Sequence, residues 1–117
     1  MVDVLHISHP NGRVIGKVDI PGSKSESNRL LILKHLYFPD LEIVGLSNSK
    51  DTQYLQGAFQ EEGPNVNVGD AGTAMRFLTA YYALQEGEEI TLSGTARMHE
   101  RPIGVLVDAL ASLGAEI

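Results

Sequence analysis

The chain has 117 residues, of which 43% are hydrophobic and none is cysteine. This length suffices for one domain that buries roughly two-thirds of its unfolded surface. The lack of cysteine excludes disulfides, thiolate metal sites and a cysteine nucleophile. A net charge of −6 with no basic run argues against a general nucleic-acid binder. The first residues lack a signal-peptide pattern and no stretch is long enough to span a membrane. We therefore expect a cytoplasmic protein that binds neither nucleic acid nor membranes.

The first twenty residues contain two stretches in which apolar and polar residues alternate, 4–8 and 13–20, separated by the pair Asn11 and Gly12. Alternation with a period of two is typical of half-buried strands, and Asn-Gly is a favoured hairpin turn. This pattern predicts a β-hairpin at the start of the chain.

The stretch 21–33 predicts a tight turn that leads into a helix. A Pro-Gly turn pair is followed by Ser23, which can cap the helix, and Glu26 stands at the capping-box spacing from it. Leucines at helical spacing then provide an apolar face. We expect this helix to extend from about residue 25 to residue 37.

The start of this helix gathers groups that bind anions. The first backbone N–H groups of a helix have no partner within it and carry a partial positive charge. Lys24 lies at this end, and Ser25 and Arg29 are four residues apart, so that they share one helix face. Together these groups favour a phosphate ligand. The alternative is an ordinary capped surface helix with two solvated cations.

The rest of the chain predicts alternating helices and strands, which indicates an α+β (mixed α/β) fold. In chain order we expect a strand at 41–46, a helix at 50–62, a short strand at 66–68, a helix that follows the glycine turn at 69–76 and ends near 85, a strand at 89–93, a loop at 95–101 and a helix from Pro102 to Leu113. Gly114 is placed to end the last helix, because glycine is favoured just after a helix C-terminus.

The stretch 69–76 resembles the first site, because a glycine turn leads into a helix whose first turns carry a hydroxyl and an arginine. Its sequence is Gly-Asp-Ala-Gly-Thr-Ala-Met-Arg. Its glycines allow backbone to approach a ligand closely, and Thr73 and Arg76 share the first helical turn. The alternative is an ordinary helix start in which Arg76 pairs with Asp70.

Two guanidinium groups, those of Arg97 and Arg101, lie just before the last predicted helix. A cation at this end opposes the helix dipole, and a bound anion would offset that cost. Arg101 is therefore a candidate binding residue, and the alternative is a salt bridge to Glu100 or to a carboxylate distant in sequence. The four histidines show no metal-ligand spacing.

A weak internal repeat relates the first two sites. Arg29 and Arg76 are 47 residues apart, and so are the two Glu-Ile pairs that begin at Glu42 and Glu89. A helix after a glycine turn, then a strand, then another helix, occurs twice in the predicted elements. This arrangement is typical of repeated supersecondary units.

Three stretches together resemble the EPSP synthases, the 3-phosphoshikimate 1-carboxyvinyltransferases of the shikimate pathway. They are Pro-Gly-Ser-Lys-Ser-x-Ser-Asn-Arg at 21–29, Gly-x-Ala-Gly-Thr-Ala-Met-Arg at 69–76 and Arg-Met-x-Glu-Arg-Pro-Ile-Gly at 97–104. The resemblance covers nearly the whole chain but only the N-terminal part of the family's length, so we expect a fragment.

The fold that the resemblance implies has two lobes, each built of three βαβαββ units, with the active site in the cleft between them. Residues 1–20 would be strands of the opposite lobe, and residues 21–117 would be a partial N-terminal lobe. The C-terminal lobe would be its intramolecular partner and would provide the catalytic acid and base, beyond residue 117. We therefore expect this chain alone to be inactive.

Individual roles also follow from the resemblance. Lys24, Ser25 and Arg29 would bind 3-phosphoshikimate, and Lys24, Gly72 and Arg101 would bind phosphoenolpyruvate. Weaker candidates near the cleft are Asp51, Thr73 and Arg76.

The implied reaction moves the carboxyvinyl group of phosphoenolpyruvate to the 5-hydroxyl of 3-phosphoshikimate and releases phosphate, with no metal or organic cofactor. Both substrates are polyanions, so fixed cations are needed to bring them together. Two alternatives stay open. One is the related transferase that acts on UDP-N-acetylglucosamine, whose members have a sequence similar to Gly-Ala-Lys-Asn-Ala in place of the first stretch. The other is a non-catalytic phosphate-binding domain.

The chain departs from the family pattern at two places. Asp70 stands where many members have asparagine, which adds negative charge near an anion site unless Arg76 neutralises it. The segment 56–68 is shorter than usual, so a strand or hairpin of the second unit could be absent.

Overall fold

The computed structural model describes residues 3–117, within which the chain forms five helices and two short strands. The helices are α1 (Lys24–Tyr37), α2 (Lys50–Ala58), α3 (Gly72–Ala83), α4 (Ala96–His99) and α5 (Gly104–Ser112), and the strands are β1 (Asn65–Asn67) and β2 (Thr91–Ser93). The predicted mixed α/β class is confirmed.

The two strands pair in parallel, with Val66 opposite Leu92, and α3 connects them in a βαβ unit. The ladder continues by one hydrogen bond beyond the C-terminal end of β1, where the Val68 N–H donates to the Ser93 carbonyl at 2.8 Å. The Thr95 N–H then donates to the Gly69 carbonyl at 2.9 Å. The strand pair therefore leads directly into the glycine turn that precedes α3.

The hydrophobic core lies where α1, α2 and α3 pack around β1. Its buried members are Leu31, Leu55, Ala58, Val66, Val68, Ala71, Ala74 and Leu78. Full burial of one leucine stabilises the fold by about 1.5–3 kcal/mol, so this small cluster holds the three helices that carry the candidate site.

Aromatic side chains join the ends of α2 and α3. Phe59 and Tyr81 meet edge to face at 5.1 Å, and Tyr81 meets Tyr82 in the same way at 5.2 Å. The Tyr82 hydroxyl donates to the Ala58 carbonyl at 3.4 Å. Burial raises the pKa of Tyr82 above its usual value, and negative charge on neighbouring groups adds to the effect.

The helix starts agree with the capping signals in the sequence. Ser23 accepts a hydrogen bond from the Glu26 N–H at 3.3 Å, and Ser49 caps α2 in the same way through the Thr52 N–H. The helix predicted at 25–37 is therefore confirmed. At the end of α5, Gly114 has a φ of 102°, the left-handed conformation expected of a helix stop.

Several bounds differ from the prediction, and those of β1, of β2 and of the end of α3 differ by one or two residues. The helix expected at 50–62 ends at Ala58, and the expected loop 95–101 contains α4, which Thr95 caps through the Met98 N–H. The last helix begins at Gly104 instead of Pro102.

The predicted hairpin in the first twenty residues is wrong. A local turn forms, in which the Arg13 N–H donates to Asn11 Oδ1 at 3.0 Å. Residues 3–20 form no strand, however, and all of them are exposed, with Ile7 at 84%. The reason is physical: an isolated two-stranded hairpin is at best marginally stable unless it packs on another surface.

The predicted strand at 41–46 is also wrong. Ile43 and Leu46 pack against the core, whereas Val44 is 87% exposed. Within residues 3–117 no strand lies alongside this segment, so its backbone has no ladder to join.

Much apolar surface stays in contact with solvent. The Cα radius of gyration is 18.6 Å, whereas a compact domain of this length has roughly 13 Å. α5 contributes no buried residue, and its Val105 is 89% exposed. None of the helices within residues 3–117 combines the length and apolar character needed to cross a bilayer.

Candidate anion-binding site

The start of α1 presents three candidate residues at the surface. Lys24 is the first residue of the helix, and Lys24, Ser25 and Arg29 are all exposed. Arg29 Nη1 donates to the Ser25 carbonyl at 3.0 Å, and the guanidinium carbon lies 6.0 Å from the centre of the Phe77 ring. The guanidinium is thus held by the backbone of its own helix and by an aromatic ring of α3.

The turn before α1 is fixed by a close backbone approach. A Cβ placed on Gly22 would collide with the Gly45 carbonyl oxygen and would lie 3.0 Å from the Gly45 carbonyl carbon. Only glycine fits this position without a shift of the backbone, so the start of α1 lies against the segment at 45–46.

The start of α3 brings two candidates into contact. Gly72 is buried, and the Arg101 guanidinium lies directly against it: a Cβ on Gly72 would collide with Arg101 Nη1 and would lie 2.7 Å from Arg101 Cζ. Arg101 itself is exposed. Backbone of the glycine turn and a guanidinium from a later part of the chain therefore form one surface.

Arg76 links the same two segments through backbone hydrogen bonds. Its Nη1 donates to the Gly72 carbonyl at 3.3 Å and its Nη2 donates to the Pro102 carbonyl at 2.8 Å. One guanidinium therefore links the start of α3 to the residue that follows Arg101.

The ion pairs considered in the sequence analysis do not form. Within residues 3–117 the one ion pair joins Lys17 and Asp19 at 3.8 Å, outside the three motifs and exposed. The alternatives that paired Arg76 with Asp70 and Arg101 with Glu100 are therefore wrong. Five cations of the described chain lie at the three motifs with no carboxylate within salt-bridge distance: Lys24, Arg29, Arg76, Arg97 and Arg101.

The remaining candidates lie at neighbouring helix starts. Asp51 is a partly buried residue in the first turn of α2, beside Thr52, which is hydrogen-bonded to Asn28 of α1. Thr73 is the second residue of α3 and is partly buried. Within residues 3–117 no hydrogen bond joins Lys24 to Gly72 or to the Arg101 side chain. The two halves of the site are connected by the packing of α1 against α3, which includes the contact of Arg29 with Phe77.

Sequence reasoning missed the polar residues that lie behind α1. Ser27 and Asn28 are buried and hydrogen-bonded, although polar residues near a helix start are usually exposed. Their spacing of four and three residues from the buried Leu31 places them on the inward face, which is the signal that identifies them. Phe77, which the sequence analysis does not single out, contacts Arg29.

Metal ligation finds no support in this part of the molecule. Among the residues that the structure describes, no three histidine or carboxylate side chains converge on a point where they could hold a metal ion.

Fold and site together define a class: a mixed α/β segment in which cations gather, without carboxylate partners, at glycine turns and helix starts. Comparison with known proteins identifies the family. The sequence model of EPSP synthase (3-phosphoshikimate 1-carboxyvinyltransferase) matches residues 55–117, more than half of the chain. The chain belongs to the EPSP synthase family.

Relatives named 3-phosphoshikimate 1-carboxyvinyltransferase align with most of the chain. Those of Bordetella pertussis, Thiobacillus denitrificans and Bacteroides fragilis (strain YCH46) are 40%, 41% and 46% identical over 100%, 90% and 86% of it. The chain spans 32%, 30% and 24% of the length of these relatives, about a third at most.

Relatives differ in length within the aligned region. The alignment with the B. pertussis protein extends over 141 positions, more than the 117 residues of this chain, whereas that with the B. fragilis protein extends over 100 positions for 86% of it. Within the aligned region this chain is therefore shorter than the B. pertussis protein. That the missing residues belong at 56–68 stays a prediction.

Proposed function

We propose that the chain is part of an enolpyruvyl transferase that moves the carboxyvinyl group of phosphoenolpyruvate to the 5-hydroxyl of 3-phosphoshikimate. The observation that carries this proposal is the gathering of five cations, without carboxylate partners, at the three stretches that resemble the family's substrate-binding motifs. The relatives are named 3-phosphoshikimate 1-carboxyvinyltransferase, which indicates the reaction. We propose further that the chain belongs to a longer protein. This protein would be cytoplasmic and would take part in the synthesis of aromatic amino acids through chorismate.

The start of α1 is the proposed binding site for 3-phosphoshikimate. Lys24 offers an ammonium, Ser25 a hydroxyl and Arg29 a guanidinium at a helix end whose free N–H groups favour anions. Because Arg29 is held by the Ser25 carbonyl and faces Phe77, its guanidinium is oriented before a ligand arrives.

The contact between Gly72 and Arg101 is the proposed binding site for phosphoenolpyruvate, with Lys24 shared between both substrates. Thr73 and Asp51 stay candidates near these sites. Arg76 is proposed to act indirectly, because Nη1 and Nη2 each donate to a backbone carbonyl, of Gly72 and Pro102 respectively.

The chemistry needs groups from the rest of the longer protein. The 5-hydroxyl oxygen attacks C2 of phosphoenolpyruvate and loses its proton while C3 gains one. The tetrahedral intermediate then expels phosphate as a proton leaves C3, which forms the double bond of the carboxyvinyl group. The cations of this segment hold the two phosphates and the carboxylate in place. We propose that the proton donor and acceptor come from the C-terminal lobe.

Two experiments test the proposal. The coding sequence that follows residue 117 in the gene should continue with the remainder of a transferase of this family. In parallel, the chain should be titrated with 3-phosphoshikimate, phosphoenolpyruvate, UDP-N-acetylglucosamine and inorganic phosphate, with amide chemical shifts as the readout. Selective shifts at 22–29 with 3-phosphoshikimate are expected. Equal weak binding of all four would favour the phosphate-binding domain, and a preference for the nucleotide sugar would favour the related transferase.

A further inference from the structure

A network of buried polar side chains lies behind the start of α1. The Ser49 hydroxyl is 3.0 Å from Thr52 Oγ1, and Thr52 Oγ1 donates to Asn28 Oδ1 at 2.8 Å. Since the Thr52 N–H donates to Ser49 Oγ, the hydroxyl protons can point in one direction along this chain of bonds, from Ser49 to Asn28. Asn28 and Thr52 have no exposed surface.

A second branch fixes the same helix start to the loop before α2. The Ser47 N–H donates to Ser27 Oγ at 2.9 Å, and the Ser49 N–H donates to Ser47 Oγ at 3.1 Å. Both Ser27 and Ser47 are buried. The five residues of this polar network therefore connect the first turns of α1 and α2 through side chains.

The polar network lies immediately next to the proposed 3-phosphoshikimate site. Ser27 and Asn28 lie between Ser25 and Arg29 in sequence and are buried, whereas Ser25 and Arg29 are exposed, and Thr52 follows Asp51. A small rotation of α1 about its axis would therefore move the Ser25 hydroxyl and the Arg29 guanidinium together.

Stability alone is a poor reason for such a cluster. Burial of polar groups costs free energy unless each is hydrogen-bonded, and an apolar cluster of equal shape is often as stable. Asn28 Nδ2 is buried without a hydrogen-bond partner among the described residues, which adds to the cost. What hydrogen bonds supply and apolar contacts lack is direction, because they fix the rotation of one helix against another.

We infer that the polar network is a positioning device for the 3-phosphoshikimate site, in which Asn28 and Thr52 set the orientation of Ser25 and Arg29 without contact with the ligand. This inference rests on the proposed function of that site. It assigns a role to two residues whose side chains are fully buried.

The test compares two threonine-to-valine changes, each of which removes a buried hydroxyl and preserves shape. Thr52→Val breaks the bond to Asn28 of α1 and also removes the local contact with the Ser49 hydroxyl, whereas the control Thr79→Val breaks a bond to the Met75 carbonyl within α3. Dissociation constants for 3-phosphoshikimate and phosphoenolpyruvate are measured on the chain by chemical-shift titration. Thr52→Val should weaken 3-phosphoshikimate binding about fivefold, as the loss of one hydrogen bond predicts, and leave phosphoenolpyruvate binding within twofold. Thr79→Val should change neither.

A double variant separates positioning from stability. Asn28→Leu with Thr52→Val replaces both partners by apolar groups, so its unfolding midpoint should return toward that of the wild type, while 3-phosphoshikimate binding stays weak. Recovery of both stability and binding in the double variant would overturn the inference, as would wild-type affinity in Thr52→Val. If the wild-type chain shows no shifts at 22–29 with 3-phosphoshikimate, the proposed function fails first and this inference fails with it.

Discussion

The starts of α1 and α3 share the same local structure. Each follows a turn that contains glycine, and in each an arginine donates through Nη1 to the carbonyl four residues earlier: Arg29 to Ser25 at 3.0 Å and Arg76 to Gly72 at 3.3 Å. The spacing of 47 residues relates both members of each pair. The weak repeat seen in the sequence is thus accompanied by the same hydrogen bond in both helices.

The two starts differ in what they expose. At α1, Ser23 caps the helix and Lys24, Ser25 and Arg29 are exposed. At α3 no side chain caps the helix, Gly72 is buried, and the guanidinium that covers it comes from Arg101. The first start therefore offers a ligand mainly side chains, whereas the second offers backbone together with an imported cation. Substitutions should separate these two modes.

The largest expected effect is at the side-chain site. In the longer protein that we propose, Arg29→Ala should weaken 3-phosphoshikimate binding by about 1.5–3 kcal/mol, the range for a hydrogen bond to a charged group. Calorimetry provides the measurement, and Arg13→Ala, a change of an exposed arginine outside the three stretches, is the control. An affinity that stays within error of the wild type would remove Arg29 from the site.

The backbone site should respond to size instead of charge. A Cβ on Gly72 would displace the Arg101 guanidinium, so Gly72→Ala should raise the Michaelis constant for phosphoenolpyruvate about tenfold, about 1.4 kcal/mol, and that for 3-phosphoshikimate much less. It should also reduce inhibition by glyphosate, which resemblance to the family places in the phosphoenolpyruvate site.

Gly57→Ala is the matched control for this change. Gly57 lies inside α2, and a Cβ there would meet nothing within 4 Å. Both Michaelis constants should stay at wild-type values. Equal increases for both substrates in Gly72→Ala would mean that Gly72 matters only for the shape of its turn.

Arg76→Ala should have an intermediate effect. Loss of its two carbonyl bonds frees the segment at Pro102 from α3, and we expect phosphoenolpyruvate binding to weaken by about 1 kcal/mol, the worth of one net hydrogen bond. Arg13→Ala, which removes an exposed arginine outside the three stretches, is again the control in the same titration. If both variants bind phosphoenolpyruvate equally, Arg76 has no positioning role.

The smallest effect is expected at Asp70. Because Asp70 is exposed and forms no ion pair within the described residues, Asp70→Asn should tighten phosphoenolpyruvate binding by less than about 1 kcal/mol. The gain should fade as salt rises. Asp40→Asn is the control at another exposed aspartate, and weaker binding by Asp70→Asn at low salt would show that the carboxylate has a favourable role.

The sequence predicts helices better than strands here, because helix signals are local in sequence whereas a strand depends on a partner distant in sequence. Caps such as Ser23 and Ser49 act within one turn, so the starts of α1 and α2 were correctly predicted. A strand needs a neighbour, and the segments 4–8, 13–20 and 41–46 have none within residues 3–117. Alternation of apolar residues could not reveal that absence.

Motifs located the candidate residues, but not how they are held. The contact of Arg101 with Gly72 joins residues 29 apart in sequence, and the bond of Thr52 to Asn28 joins residues 24 apart. No local pattern encodes either pairing. The ion pairs that the sequence suggested between near neighbours were wrong, because Arg76 instead reaches backbone carbonyls.

The central claim is that the two starts are halves of one substrate cleft that needs a second wall. Chemical-shift mapping of the 117-residue chain with 3-phosphoshikimate and with phosphoenolpyruvate, alongside an assay for phosphate release with both, tests it most directly. We predict binding no tighter than about millimolar, lost as salt rises, with shifts at 22–29, 69–76 and 97–102 and no phosphate release. Turnover by this chain alone, or shifts confined to other residues, would contradict the account.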